Sequence, residues 1–463
     1  MVFSGLTFLI VFLPITILLY YLLPLKGKNV LLLFASLIFY SWGEPIYILL
    51  MLYSILFNYT FGLLLARFRE HKKEILIFTL CMNLAILGFF KYAHFVLDTT
   101  NAVIGTDFTL KNIALPVGIS FYTFQALSYI IDLYRERFRP QKDPIAFAAY
   151  ITMFPQLIAG PIVRYEDIEA DLTTRKTSLV SFGLGARRFI FGLSKKVLLA
   201  NYAGSLYEEI AGLGGNLSVL SAWLGAVAYT FQIFFDFSGY SDMAIGLGMM
   251  LGFHFQENFD YPYFSKSVTE FWRKWHISLS SWFREYVYIP LGGNRVSVGR
   301  HIINLLIVWF LTGLWHGASW NFVLWGLYYW LLLVFEKYVL SRISFLSKWK
   351  VLPRLYTALC FIIGWVIFSH TKLQEVGTTL AAMFAAAPCG LYDQTGLYYL
   401  TGNIRLLLCC LFFSLPCVRF LHNKLAASNF GQICINIIAL ALFLLSLAVV
   451  ATENYNPFLY FRF

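Results

Sequence analysis

Residues 302–340 read IINLLIVWFLTGLWHGASWNFVLWGLYYWLLLVFEKYVL, and this stretch decides the fold class. Two apolar runs, 302–316 and 320–340, flank a short turn that begins directly after His316 and contains Ser319. An α-helix needs about 20 mostly apolar residues to cross the hydrocarbon core of a bilayer. The stretch therefore predicts two consecutive membrane helices joined by a polar turn.

Apolar runs of similar length recur along the whole chain. They lie near 5–25, 29–42, 46–66, 74–91, 113–133, 144–163, 218–236, 239–255, 302–316, 320–340, 354–370, 403–419 and 431–451. Because some runs are short or polar, we expect about eleven true crossings. The sequence predicts an all-α polytopic membrane protein with one integral domain over 1–463. Its N-terminal spans lie in 1–143, its motif-bearing core in 144–340 and its C-terminal spans in 341–463.

The composition agrees with the bilayer as the main solvent. Of 463 residues, 59% are hydrophobic and 13% are charged, whereas soluble proteins carry about 25% charged residues. The net charge of +11 comes largely from basic residues in short loops such as 67–73 and 135–142, while 42–45 has no Lys or Arg. This asymmetry predicts a cell-membrane protein with its N-terminus outside the cytoplasm. Membrane lipid, and not nucleic acid, is the expected surface partner. The first apolar run lacks a cleavage site and is interpreted as a retained span.

Several kinds of site are not indicated by the sequence. The seven cysteines form no C-x-x-C pair, so neither a zinc site nor a disulfide framework is predicted. The chain also lacks a G-x-S-x-G elbow, a P-loop and an H-E-x-x-H motif. Serine hydrolases, ATPases and zinc proteases are therefore disfavoured, and no metal is expected.

His316 is the sharpest candidate for a catalytic group. It lies in LWHGASWN at 314–321, at the junction of two apolar runs, between Gly313 and Gly317. Ionisable side chains inside a span are costly, on the order of 2.5–3.5 kcal/mol on insertion scales, so their presence favours a function. Histidine titrates near neutrality and can accept and return the proton of a hydroxyl. The small neighbours would admit another backbone or a thin substrate. The alternative is a packing histidine that hydrogen-bonds across helices.

His276 lies in a second polar window, FWRKWHISLSSWFRE at 271–285. The cationic neighbours Arg273, Lys274 and Arg284 suit a phosphate-bearing acyl donor from the cytosol. Snorkelling to anionic lipid headgroups explains these cations equally well. The surrounding stretch, 268–300, is too charged to face lipid, so we expect it on the surface or folded back into a protein-lined cavity.

Asp236 and Asp242 fall within apolar sequence and flank Ser-Gly-Tyr-Ser at 238–241. That tetrapeptide predicts a break between two membrane helices, tolerated only where protein or water lines it. The carboxylates could orient a histidine or bind a cation. We favour the simpler interpretation that they hold helices together. A basic amphipathic stretch at 183–202 is expected to lie along the cytoplasmic interface.

Five motifs in this order resemble the membrane-bound O-acyltransferase (MBOAT) family, above all its bacterial alginate O-acetyltransferase branch. They are FPQLIAGPIVR at 154–164, FDFSGYSD at 235–242, FWRKWHISLS at 271–280, YIPLGGN at 288–294 and GLWHGASWN at 313–321. The resemblance implies a ring of helices around a thinned central basin, with re-entrant or interfacial helices. It also implies that His316 is the catalytic histidine and that His276 is the second active-site residue. Trp315, Ser319 and Asn321 of the last motif are expected to support them.

The resemblance further implies an acyltransferase that uses a cytosolic thioester, with acetyl-CoA as substrate and no tightly bound cofactor. His316 would be the general base on a hydroxyl, and His276 would orient the donor or stabilise developing negative charge on oxygen. This branch hands acyl groups to a separate SGNH-type transferase that modifies an exported polysaccharide. Both that transferase and the polysaccharide are therefore expected partners.

Two other functions stay open at this point. The first is D-alanyl transfer to teichoic acid from a carrier protein, within the same family. The second, from another class, is a proton-coupled transporter or flippase in which His316, Asp236 and Asp242 form a proton relay. A transporter predicts inverted repeats, which the sequence does not show, and no consumption of a thioester.

Overall fold

The structure is a computed structural model in which residues 1–111, 113–158, 160–342, 349, 351–384, 386–452 and 459 are described. Every regular element in this part of the chain is a helix. Within it, eight helical segments are long and apolar enough to cross a membrane. They are Ile48–Arg67, Arg69–Ile104, Val219–Leu251, Val298–His316, Trp320–Arg342, Leu352–Ser369, Gln394–Phe413 and Asn429–Thr452. The predicted all-α polytopic membrane fold is confirmed, although eight segments are fewer than the predicted number of crossings.

The predicted break at 238–241 is wrong. The runs 218–236 and 239–255 form one continuous helix, Val219–Leu251. A Cβ atom at Gly239 would lie 2.7 Å from the carbonyl oxygen of Gly192 and 3.1 Å from the backbone nitrogen of Lys196. The glycine therefore allows a neighbouring backbone to approach closely, which is a common use of small residues between membrane helices.

The run at 144–163 does not form a spanning helix. It divides into Pro144–Thr152 and Phe154–Leu157, with Met153 outside helical geometry at ψ 110°. Pro155 has no N–H to donate to the carbonyl of Ile151, so it is tolerated in the first turn of a new helix but not inside a longer one. The longer piece has nine residues, which extend only about 14 Å.

The first of two compact units comprises Met1–Phe189 and Ser241–Glu257. Its complete helices are α1 Leu13–Leu22, α2 Leu25–Ser41, α3 Ile48–Arg67, α4 Lys72–Ile104, α5 Ile119–Tyr134, α6 Pro144–Thr152, α7 Phe154–Leu157 and α8 Tyr165–Thr174. Buried amides join α3 to α4, because the Nδ2 atoms of Asn58 and Asn83 each donate to the other's Oδ1, at 3.1 and 2.9 Å. Such pairs let a polar residue lie between membrane helices at little cost.

The second unit comprises Ile190–Tyr240 and Asn258–Phe463. Two helices, α9 Leu179–Ser194 and α11 Val219–Leu251, contribute residues to both units. The others of the second unit are α10 Asn201–Ala211, α12 Val268–Lys274, α13 Ile277–Phe283, α14 Val298–His316, α15 Trp320–Tyr338, α16 Leu352–Ser369, α17 Leu373–Met383, α18 Gln394–Phe413, α19 Cys417–Ala426 and α20 Asn429–Thr452. Its core is rich in aromatic rings, with Trp275, Trp325 and Trp365 all at most 2% exposed.

Helices α14 and α15 are in direct backbone contact. A Cβ atom at Gly313 would clash with the carbonyl oxygen of Phe322, and one at Gly326 would clash with that of Trp309. Two glycines facing each other thus set the separation of the helices that carry the His316 turn. Small residues at such an interface are typical of tightly packed membrane helices.

The basic stretch at 183–202 forms the end of α9, a π-helical turn at Lys195–Ala200 and the start of α10. Lys196 is 2% exposed and lies 2.7 Å from the carboxylate of Asp236. This lysine therefore points into the protein and cannot contribute to a basic face toward the membrane surface.

Candidate active site

His276 occupies an irregular segment between α12 and α13. Its backbone is left-handed, with φ 45° and ψ 55°, a conformation that costs a non-glycine residue about 1–3 kcal/mol. The imidazole is 1% exposed and packs edge-on against the ring of Phe237 at 4.6 Å. Burial lowers the pKa of His276 from 6.5 to about 3, so the ring is neutral at physiological pH.

Asn258 holds this segment in place. Its carbonyl oxygen accepts the N–H of Ile277 at 3.0 Å. Its side-chain Oδ1 accepts the N–H of Ser278 at 3.2 Å and the hydroxyl of Ser278 at 2.9 Å. The same Oδ1 lies 3.2 Å from Nδ1 of His276. These bonds compensate the strained backbone and fix one edge of the imidazole.

The helix that leads to His276 is capped from two directions. The Ser267 hydroxyl accepts the N–H of Glu270 at 2.9 Å, in the usual manner of an N-terminal cap. The carboxylate of Glu336, on α15, accepts the N–H groups of Val268 and Thr269 at 2.6 and 2.9 Å and the Thr269 hydroxyl at 2.8 Å. The N-terminal donors of α12 are thus bonded, and α12 is fastened to α15.

A cavity of about 1290 Å³ lies against this segment. Its lining includes His276 and, from α14, Leu305, Val308, Trp309 and Thr312. It also includes four cationic side chains, Lys266, Arg273, Arg284 and Lys337. Glu336 is the acidic residue of the lining, and its carboxylate is already bonded to α12. The cavity is therefore large and positively charged, which favours an extended anionic ligand.

His316 ends α14 and is enclosed by aromatic rings. It is 4% exposed, and its imidazole meets Trp325 at 5.0 Å and Phe368 at 5.1 Å, both edge-on. His316 does not line the cavity, whose α14 wall extends to Thr312. Thr312 and His316 are four residues apart on one helix face, so His316 lies about 6 Å further along the axis.

Trp315 connects the two histidines. Its indole lies 5.8 Å from the ring of His276 and 5.0 Å from that of His316, measured between ring centroids. Two side chains that are 40 residues apart in the sequence thus share one aromatic neighbour. Both histidines therefore lie beside the same indole in the second unit.

A family model and several known proteins match this chain. Residues 135–373, which include both histidines, match the family model described as "MBOAT, membrane-bound O-acyltransferase family". The "Probable alginate O-acetylase AlgI" of Pseudomonas putida is 39% identical over the full length of both chains. The chain belongs to the membrane-bound O-acyltransferase family. The resemblance predicted from the five motifs is thereby confirmed.

Two other relatives show the range of this acyltransferase family. The "Peptidoglycan O-acetyltransferase" of Helicobacter pylori is 34% identical, over 83% of this chain and 80% of the relative. The "Teichoic acid D-alanyltransferase" of Bacillus subtilis is 29% identical, over 55% of this chain and 68% of the relative. The family accordingly includes relatives named for different acyl groups and different acceptors.

The predicted donor-binding cations of the acyltransferase differ in their position relative to the cavity. Arg273 and Arg284 are exposed and line the cavity beside His276. Lys274 does not line it, and its ammonium pairs with Glu270 on the same helix at 2.8 Å. Lys266 and Lys337 are cations that the sequence motifs did not single out. Both lie outside the FWRKWHISLS window, so only the folded chain brings them to the cavity.

The turn after His316 contains the other predicted supporting residues. The Ser319 hydroxyl donates to Oδ1 of Asn321, and Nδ2 of Asn321 lies 3.5 Å from the carbonyl of Ile367 at the end of α16. The ring of Phe322 fills the space beside Gly317, so a Cβ atom at Gly317 would overlap this ring. The sequence left two uses open for the small residues around His316, close approach of protein or entry of a thin substrate. In the structure, protein atoms fill the space beside Gly317.

The two aspartates hold helices together. Asp236 pairs with Lys196, and its second oxygen accepts the N–H of Leu459 at 3.0 Å. Asp242, in the first unit, pairs with Arg188 at 2.9 Å. Each carboxylate therefore has a basic partner within its own unit, which favours the packing interpretation over a proton relay.

Asn258 is another residue of the site that the sequence motifs did not single out. It precedes His276 by 18 residues and lies outside the motif window. No periodicity marks it, since it belongs to an irregular segment between helices. Its polar side chain beside the aromatic residues 259, 261, 263 and 264 is the only local signal.

Proposed function

We propose that this protein transfers an acyl group, most simply acetyl, from a cytosolic thioester through the cell membrane to a hydroxyl, in the O-acetylation of an exported or cell-surface polysaccharide. The observation that carries the proposal is the shared indole of Trp315, which joins two histidines beside a large cationic cavity. Two relatives support an acetyl group and a polysaccharide acceptor by their names. They are the alginate O-acetylase that matches over the full length and the peptidoglycan O-acetyltransferase that matches over 83% of this chain.

The cavity is the proposed site of the donor. Acetyl-CoA is an elongated thioester with phosphates at one end, and Lys266, Arg273, Arg284 and Lys337 supply the complementary charge. Its volume exceeds the range of about 300–1000 Å³ for common small-molecule sites. Lys274 is omitted from this proposal because Glu270 already neutralises it.

His316 is the proposed general base. It would accept the proton of the attacking hydroxyl as the oxygen bonds to the thioester carbonyl carbon. The carbon–sulfur bond then breaks, and the released thiolate takes up a proton. His276 would lie on the donor side, because it lines the cavity while His316 lies beyond it. Trp315 would then separate the two halves of the reaction path.

The cytoplasmic side of the protein is proposed to be the one that carries the cationic cavity. This orientation follows the positive-inside rule and puts the N-terminus outside. The acyl group would leave on the opposite side, where an SGNH-type transferase would pass it to the polymer. The alternative is transfer of D-alanine from a carrier protein. Two relatives named as teichoic acid D-alanyltransferases support this alternative.

Release of CoA from acetyl-CoA tests the proposal directly. The full-length protein, in vesicles of bacterial phospholipid, is given labelled acetyl-CoA, and free thiol and transferred label are measured. We expect His316→Ala to lower the rate by about 10²–10⁴-fold, the usual contribution of a positioned general base. The matched control is His422→Ala, which changes an exposed histidine on α19 in the same unit.

Three outcomes would overturn the proposal. Turnover of His316→Ala at the wild-type rate would show that His316 is not the general base. Turnover only with a D-alanyl carrier protein would favour the teichoic acid alternative. Proton-coupled transport without any release of thiol would favour a transporter.

A further inference from the structure

The amide of Asn258 can be oriented without ambiguity. The backbone N–H of Ser278 points at one of its side-chain atoms from 3.2 Å, and a backbone N–H can only donate. That atom must therefore be the oxygen, Oδ1, because the amide nitrogen carries hydrogens and does not accept. The second bond, from the Ser278 hydroxyl at 2.9 Å, is consistent with the same assignment.

This orientation determines the tautomer of His276. Nδ1 lies 3.2 Å from the same Oδ1 atom, which can only accept. Nδ1 must therefore carry a hydrogen, and in a neutral imidazole the other nitrogen, Nε2, then carries none. The ring is neutral because burial holds its pKa near 3.

The described neighbours of His276 are aromatic rings and the groups that line the adjoining cavity. Phe237 of α11 and Trp315 of α14 pack against the ring with their edges, and neither titrates. The charged groups that line the adjoining cavity are Lys266, Arg273, Arg284, Glu336 and Lys337, together with titratable His301, Tyr288 and Tyr356. Burial is the cause of the shift in the pKa of His276.

We infer that Asn258 is a positioning residue that holds His276 in the tautomer with hydrogen on Nδ1, so that Nε2 serves the transfer site as a hydrogen-bond acceptor. The inference rests on the proposed function. A ring in this form cannot donate to a developing oxyanion. It recognises instead a group that carries hydrogen, either an amide N–H of the donor's pantetheine arm or the acceptor hydroxyl.

The tautomer of His276 separates the two roles that the motifs left open for this residue. Orientation of a hydrogen-bearing substrate group agrees with an unprotonated Nε2, whereas stabilisation of negative charge on oxygen requires Nε2–H. In this tautomer, donors for the oxyanion must come from other groups of the site or from the substrate.

The tautomer can be measured without any activity. The protein is labelled with ¹⁵N-histidine, reconstituted in bacterial phospholipid and compared with His276→Gln by solid-state NMR at pH 7.5. The difference spectrum is expected to show one imidazole with protonated Nδ1 and unprotonated Nε2. A ring with protonated Nε2 would overturn the inference, even if the enzyme transfers acetyl groups.

Kinetics of two Asn258 variants supply the second measurement. Asn258→Leu keeps the size of the side chain but removes the acceptor, and we expect about 10²-fold loss of kcat. Asn258→Asp keeps the acceptor and adds a negative charge, which raises the pKa of His276. Its activity should therefore fall at pH 6 relative to pH 8 more steeply than that of the wild type. Identical pH profiles for wild type and Asn258→Asp would contradict the inference.

The test also needs a control variant and separate values of kcat and KM for Asn258→Leu. Asn83→Ala removes another buried asparagine, in the first unit, and should change neither the tautomer nor the pH profile. A rise in KM for acetyl-CoA in Asn258→Leu would identify the donor amide as the bound group, while a fall in kcat alone would identify the acceptor hydroxyl. If wild-type protein releases no CoA, the proposed function fails, and the NMR spectrum still decides the tautomer.

Discussion

The two histidines of the site both pack against aromatic rings, and His276 also has hydrogen-bonding contacts with Asn258 and Ser278. His276 lies in an irregular, strained segment, and its Nδ1 lies 3.2 Å from Oδ1 of Asn258 and 3.4 Å from the hydroxyl of Ser278. His316 ends a regular helix and is fixed by the edges of aromatic rings. Hydrogen bonds specify which nitrogen of a ring carries hydrogen, whereas packing specifies only where the ring lies. The described contacts of His276 therefore bear on its chemical form, and those of His316 bear on its position.

The largest change expected from this contrast is in the aromatic surroundings of His316. Trp325 is fully buried and meets the rings of both His316 and Trp272. Trp325→Ala should lower the free energy of unfolding by about 3–5 kcal/mol, because it leaves a cavity in a packed core. The midpoint of unfolding in detergent measures this loss. Trp320→Ala, at an exposed tryptophan of the same helix, is the control. Equal midpoints for the two variants would show that His316 is not held by packing.

A smaller change is expected from the hydrogen bonds around His276. Ser278→Ala removes the hydroxyl that bonds Oδ1 of Asn258 at 2.9 Å and lies 3.4 Å from Nδ1 of His276, and it leaves the backbone bond from the same residue. The cost should be about 0.5–1.5 kcal/mol, the usual net contribution of one hydrogen bond. The same denaturation experiment measures it. Ser341→Ala, at an exposed serine, gives the baseline. A loss as large as that of Trp325→Ala would erase the contrast between the two histidines.

The smallest and most specific effect is a pH dependence of stability. His276 has a pKa of about 3 when folded and 6.5 when exposed. Between these values the unfolded chain binds a proton that the folded chain does not, so stability falls as the pH drops from about 6.5 toward 3. Wild type should therefore lose more stability in this window than His276→Gln does. Parallel curves would mean that the ring is not buried in its neutral form.

The sequence indicated the two candidate histidines but not the residues that hold His276. His276 and His316 were recognisable because each lies in a polar window within apolar sequence. Asn258 was not, because its role depends on one irregular segment folding back on another, and such pairing leaves no periodic pattern. Lys274 shows the reverse case. Its sign and position suited a phosphate, but Glu270 one turn earlier on the helix already neutralises it.

A helix boundary could be predicted only where a residue in the sequence has a single structural use. Pro155 breaks the run at 144–163, and the proline was visible in the sequence. Gly239 suggested a break that does not occur, because glycine also permits close approach of another backbone. Which of these uses applies depends on a partner helix distant in the sequence, so hydropathy alone could not decide it.

The cap that Glu336 places on α12 makes α15 a molecular spacer. One end of this helix adjoins the turn that carries His316, and the other fastens the helix that leads to His276. Its 19 residues extend about 28 Å, and one added or deleted residue would rotate Glu336 by about 100° away from α12. The length of α15 should therefore tolerate no insertion, even along stretches where its side chains face only lipid.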